Sequence, residues 1–114
     1  MSEKIETEFI DNFLVVWDPQ KGSELYRLGF YGKPIGIPKP KATDFNVPLI
    51  LDLMEGLYLV EKGSITVFEG LERKRVSFAN LRRRARKLYE DFDSKYTVYR
   101  DLRDQELIVT PGIK

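Results

Sequence analysis

The sequence predicts an α+β domain, a small antiparallel sheet packed with about three helices. Three observations carry this. Runs rich in Phe, Val, Ile and Tyr crowd residues 1–31 and recur at 64–68 and 107–110. Apolar residues at helical spacing occupy 47–63, 77–92 and 95–105. With 114 residues, 42% of them hydrophobic and 12% aromatic, the chain can bury one real core.

The first strand pair is expected where Glu8–Asn12 runs into Phe13–Trp17, with Asp11-Asn12 as a turn or bulge between the halves. Asp18–Gly22 reads as a plain turn, and Leu25–Tyr31 as another extended run, giving an antiparallel meander with one buried face. Residues 32–48 read as a loop, because Pro34, Pro38, Pro40 and Pro48 restrict the backbone to extended conformations. Lys33, Lys39 and Lys41 leave two readings open there: a stiff connector, or a basic contact loop for phosphates.

The first helix is expected over 47–63, with Asn46 as N-cap, Pro48 near N1 and Gly63 ending it after Lys62. Leu49, Ile50, Leu53, Leu57 and Val60 form one stripe, and Leu51, Met54 and Tyr58 fill a second side, so this helix is buried on more than one face. Gly56 in its middle costs about 1 kcal/mol against Ala, which points to close packing. A short strand, Ser64–Phe68, and a charged turn around Gly70–Arg75 follow. The second helix, 77–92, starts at the N-cap Ser77 and carries a single stripe of Phe78, Leu81, Ala85, Leu88 and Phe92. Asp91, Asp93 and Ser94 interrupt the pattern. A third helix then fits Lys95–Gln105, with Tyr96, Tyr99 and Leu102 on one side. Asp101 and Asp104, next to Arg100 and Arg103, read as ordinary surface pairing. Leu107–Thr110 is β-rich and Pro111-Gly112 is a turn.

The chain has neither Cys nor His. This excludes disulfides, thiolate nucleophiles, iron–sulfur clusters and the usual zinc sites. It also removes Ser-His and Cys-His catalysis and the commonest general acid–base. No cofactor or metal is expected. No apolar run reaches the roughly 18 residues of a membrane span, and the polar, acidic N-terminus is no secretory signal. A soluble cytoplasmic protein with no membrane partner is the expectation.

The formal net charge of +1 hides a segregation. Residues 72–87 hold eight Lys or Arg against one acid, a net of +7. Residues 88–106 hold three basic residues against six acids, a net of −3. Such a basic cluster can track a nucleic-acid backbone by displacing its counterions. Arg82, Arg83, Arg84, Arg86 and Lys87 are therefore candidate RNA-binding residues. The competing reading is a solvated face whose arginines pair with the acidic helix beside it. Arg82, Arg83 and Arg84 cannot share one helix face, so they must serve different neighbours. Tyr89, Tyr96 and Tyr99 invite base stacking, but their spacing fits a helix–helix core, which is the preferred reading.

The stretch VPLILDLMEGLYLVEKG (47–63), followed by the basic helix and the string Tyr96-Thr97-Val98-Tyr99-Arg100-Asp101-Leu102-Arg103, resembles the archaeal tRNA-splicing (tRNA-intron) endonuclease. The resemblance continues through Leu107–Lys114 and reaches residues 1–46 only in layout. It departs from the family at Glu106, where Gly is usual, and at Gly56, where Ala is usual. It implies that 1–92 is an N-terminal α+β domain and that 93–114 is the first helix and strand of an incomplete catalytic domain. The family's catalytic Tyr, His and Lys match no position here, so no catalytic residue is assigned, and this chain alone is expected to be inactive. The complete enzyme is implied to remove introns from precursor tRNA at a bulge–helix–bulge. There the neighbouring 2′-hydroxyl attacks phosphorus without a metal, leaving 2′,3′-cyclic phosphate and 5′-hydroxyl ends. Implied partners are precursor tRNA and other endonuclease subunits or further copies, as a dimer or tetramer. Apolar Leu107–Ile113, lacking its pairing strands, would favour self-association. The alternative is a free-standing RNA-binding or subunit-interaction module built on the basic helix 78–92.

Overall fold

Asp11 and Asn12 both adopt left-handed backbone conformations (φ 50° and 68°), the geometry a two-residue hairpin turn requires. They join β1 (Ile5–Ile10) to β2 (Phe13–Val16), as the sequence predicts. The computed structural model describes residues 4–37 and 42–108. The remaining elements, in order, are α1 (Pro19–Gly29), β3 (Lys33–Pro34), β4 (Leu49–Leu51), α2 (Leu53–Glu61), β5 (Ile65–Glu69), β6 (Lys74–Val76), α3 (Phe78–Leu88) and α4 (Phe92–Asp104).

The α+β class holds, but the sheet is larger than expected and mixed. Its six strands run in the order β3-β4-β2-β1-β5-β6. All neighbours are antiparallel except β1 and β5, which pair in parallel from Ile5 opposite Ile65 to Glu8 opposite Phe68. Among the described residues the helices number four, against about three expected.

Several expected boundaries move, each for a local reason. Leu25–Tyr31 is not extended, because α1 occupies Pro19–Gly29. Asp18 is its N-cap, accepting the Gln20 N–H at 2.9 Å, and Pro19 takes the first helical position. The Asp-Pro pair that reads as a turn is thus a helix start. The 47–63 helix begins only at Leu53, since Leu49–Leu51 forms β4 between β2 and β3. Asp52, not Asn46, is the N-cap, in a reciprocal capping box with Glu55. Gly63 does end α2 (φ 78°), and β5 follows as expected. The charged turn shrinks to 70–73, closed by the Arg73 N–H on Gly70 O at 3.0 Å, and Lys74–Val76 pairs as an edge strand. Asp91, at φ 54°, splits the predicted 77–92 helix, so Phe92 opens α4. The loop 32–48 contains β3, while its Pro38–Lys41 segment lies outside the described residues. Leu107 and Ile108 belong to no strand, and 109–114 lie outside the described residues.

One face of the sheet takes all the helices. Leu14, Val16, Leu49, Leu51, Ile65 and Val67 point there and are buried. Gly22 of α1 approaches Leu49, Gly56 of α2 approaches Leu14, and Arg84 of α3 lies over Phe9 on this same side. The α4 helix joins the core through Phe92, Tyr96 and Tyr99. On the opposite face the register aligns one residue from each strand in a row, Arg75–Phe68–Glu8–Val15–Ile50–Lys33. Among the described residues no helix packs on that side.

Two buried charged groups tie the layers together. Glu55 accepts the Asp52 N–H on one oxygen and the Gly32 N–H on the other, both at 3.0 Å. Arg103, read from the sequence as a surface residue, is buried instead. It donates to Gly29 O at 2.7 Å and lies 4.1 Å from the centre of the Tyr31 ring. It sits one turn beyond Tyr99 and two beyond Tyr96, on the same buried stripe, and that spacing is the signal that places it inside.

Candidate nucleic-acid interface

The basic helix α3 forms because Ser77 caps it, its Oγ accepting the Asn80 N–H at 3.1 Å, and because Leu81 and Ala85 bury one narrow stripe. That stripe fixes where every cation on the helix must point. Arg82, Arg83 and Arg84 fan out in three directions, as helical geometry demands. Arg84 turns towards the sheet and grips Glu69 with two hydrogen bonds of 2.8 Å, its guanidinium 4.8 Å from the centre of the Phe9 ring. Arg82 and Arg86 both turn towards α4 and share Asp93, at 3.1 and 2.9 Å. Arg83 and Lys87 face solvent and make no ion pair among the described residues.

The carboxylates in these pairs remain charged at neutral pH. The Arg84 hydrogen bonds hold Glu69 below the usual carboxylate range. Asp93 is lowered too, first by its hydrogen bond to Arg86 and then by Arg82. Five α3 cations against these two acids leave a local net of +3, concentrated at Arg83, Lys87 and the Arg82/Arg86 pair. The rest of the basic cluster is similarly divided. Arg73 pairs with Glu6 at 2.7 Å and Lys74 with Glu72 at 3.7 Å, whereas Arg75 makes no ion pair among the described residues. Pairing with neighbouring acids thus accounts for Arg82, Arg84 and Arg86, and leaves Arg83 and Lys87 exposed without an ion pair among the described residues.

The three tyrosines are structural. Tyr96 and Tyr99 are buried, and Tyr96 donates to Glu61 at 2.6 Å. Tyr89 donates to the Asp52 carboxylate, tying the end of α3 to the start of α2. Asp104 pairs with Lys62 at 2.9 Å and accepts the Tyr58 hydroxyl at 2.8 Å rather than joining a surface pair with its own helix. Among the described residues no group of acids converges on a metal position, and no helix is long and apolar enough to cross a membrane.

An α+β domain with a capped basic helix is the class this geometry defines. Comparison with known sequences gives the family. The tRNA intron endonuclease N-terminal domain model matches residues 5–82, from β1 into α3. The chain belongs to that family. It is 46% identical over 100 residues to a tRNA-splicing endonuclease of Hyperthermus butylicus, covering 88% of this chain and 55% of the relative. Against the tRNA-splicing endonuclease of Sulfolobus acidocaldarius it is 39% identical over 111 residues, covering 96% and 60%. Against that of Sulfurisphaera tokodaii it is 38% identical over 108 residues, covering 94% and 59%. The chain thus spans between 55% and 60% of the length of these relatives.

Proposed function

We propose that this chain serves a tRNA-splicing endonuclease as a scaffold and RNA-contact domain, without supplying the catalytic groups. The observation that carries this is the family match across the whole sheet and α2, in a sequence that has no histidine. Residues 1–92 act as the N-terminal domain, and 93–114 lead into the catalytic one. The α4 helix packs on the N-terminal core through Phe92, Tyr96, Tyr99 and Arg103. The enzyme so completed removes introns from precursor tRNA at a bulge–helix–bulge by attack of the 2′-hydroxyl. A base for that hydroxyl, an acid for the leaving oxygen and a cation for the phosphorane charge come from its other parts. Other endonuclease subunits supply them, and further copies of this chain would serve assembly alone.

In this reading Arg83 and Lys87 meet phosphates directly, Arg82 and Arg86 contribute a half-neutralised field, and Arg84 positions α3. A gel-shift titration of precursor tRNA across salt concentrations tests it. Replacing Arg83 and Lys87 by Gln is expected to weaken binding and to lower the slope of log K against log salt by about 2. Arg84→Gln should leave the slope alone and reduce stability. Binding that ignores both salt and the Arg83/Lys87 pair would contradict the assignment.

A further inference from the structure

The helix-free face of the sheet has the character of a second binding surface. Strand alternation about Val15 puts Phe13, at the start of β2, and Trp17, just past its end, on this side, four residues and about 13 Å apart and 46% and 54% exposed. Phe13 also borders a cavity with Leu88, Tyr89 and Lys95 at the end of the sheet. Between Phe13 and Trp17 and the sheet edge, the Arg73 guanidinium lies 4.5 Å from the centre of the Phe68 ring, a planar cation on an aromatic. The two carboxylates on this face are already engaged. Glu8 accepts the Trp17 indole N–H at 2.7 Å, and Glu6 pairs with Arg73. The cations that end the cross-strand row, Lys33 and Arg75, make no ion pair among the described residues and are separated by five strand spacings, about 24 Å.

We infer that this face binds an unpaired RNA strand, with bases stacked on Phe13 and Trp17 and phosphates drawn to Lys33 and Arg75. The inference rests on the reading of the chain as an RNA-contact domain, but it places the contact on the side of the sheet away from α3. Charge favours an anionic ligand: Arg73 offsets Glu6, and the marginal cations Lys33 and Arg75 outnumber Glu8, whose charge the neutral Trp17 indole N–H does not offset. Shape selects an unpaired strand, since only unstacked bases can lie on exposed rings. The platform is small, about 24 Å across six short strands and about 15 Å along them. That is the scale on which other open sheets stack two or three bases.

Trp17 is the one tryptophan in the chain, so its emission reports on this face alone. The experiment titrates the 114-residue chain with a short oligouridine and, separately, with a blunt RNA duplex. Oligouridine is expected to quench Trp17 saturably and the duplex to do so weakly. Phe13→Ala should lower oligouridine affinity roughly tenfold. The pair Lys33→Gln with Arg75→Gln should reduce the salt slope by about 1.4, two single-strand phosphate contacts. All three positions are exposed, and circular dichroism of each variant checks that the fold is kept. Oligouridine bound with Trp17 emission unchanged, and with all variants binding like the parent, overturns this inference and leaves the α3 reading standing. Failure to bind either RNA overturns both. An emission change that follows protein concentration without RNA, with a dimer in sedimentation, makes the face a protein interface and also overturns the inference.

Discussion

Replacing Gly56 by Ala is expected to destabilise the fold by about 2 kcal/mol, although Ala is the better helix former by about 1 kcal/mol. A Cβ at this position would lie 2.2 Å from Leu14 Cδ1 and 3.2 Å from its Cγ. Leu14 is fully buried in β2, between β1 and β4, so its side chain can yield only by moving within the core. Overpacking of this kind costs about 3 kcal/mol, which exceeds the propensity gain. Shortening the neighbour should recover the loss. In a Leu14→Val background, Gly56→Ala should cost at least about 1 kcal/mol less than in the parent, a coupling that urea denaturation can read. Additive effects of the two substitutions would show that α2 does not ride this close to β2.

Glu55→Ala should cost more, about 3 kcal/mol, because it removes the buried carboxylate acceptor of two part-buried backbone N–H groups at once. One is the N-cap end of α2, and the other is Gly32, at the entry to β3. Glu55→Gln keeps one acceptor and should cost about half as much. The two also differ in pH behaviour. Burial pushes the Glu55 carboxyl above its ordinary range, against the opposing pull of the Gly32 and Asp52 N–H groups. The folded state then holds this proton more tightly than the unfolded chain does. Stability from this group is full below the unfolded pKa, about 4.3, and declines as pH rises through the folded value. Glu69, Asp93 and Asp104 have the opposite sign. Their folded values are depressed, so their contribution is present above the unfolded carboxylate range and is lost as pH falls through the depressed values. A shallow stability maximum should result. Glu55→Gln should flatten only its alkaline side, measured as urea midpoints across pH. An unaltered alkaline side would place the effect elsewhere.

What the sequence made legible follows from how local the physics is. Asp11-Asn12 carries its own mechanism for a hairpin, Ser77 its own cap, and Gly63 its own stop, so these elements appear where expected. The misread segments are those where one local signal fits two structures. Asp18-Pro19 suits a turn or a helix start equally, and only the burial of Gly22, Ser23 and Leu25 decides for α1. Leu49-Ile50-Leu51 and Lys74–Val76 are too short to show a period, and only their partners across the sheet make them strands. The parallel union of β1 with β5 joins residues about sixty positions apart and leaves no local trace. The site behaved likewise. The density of cations in α3 was plain, but the division of Arg82 and Arg86 to Asp93 and of Arg84 to Glu69 depends on α4 and β5 arriving beside the helix. The open sheet face could not be seen at all before the register placed Lys33 and Arg75 at its two ends.

The central proposal is that this chain, which carries the family's N-terminal domain, does not itself perform the cleavage. Incubating the purified 114-residue chain alone with a precursor tRNA containing a bulge–helix–bulge tests it most directly, with products resolved by length and end group. The expected result is retention of the RNA in a gel shift with both junctions intact, and cleavage only after a catalytic subunit of the same family is added. Cutting at the splice junctions by this chain alone, above a mock preparation and with 2′,3′-cyclic phosphate ends, would contradict the account.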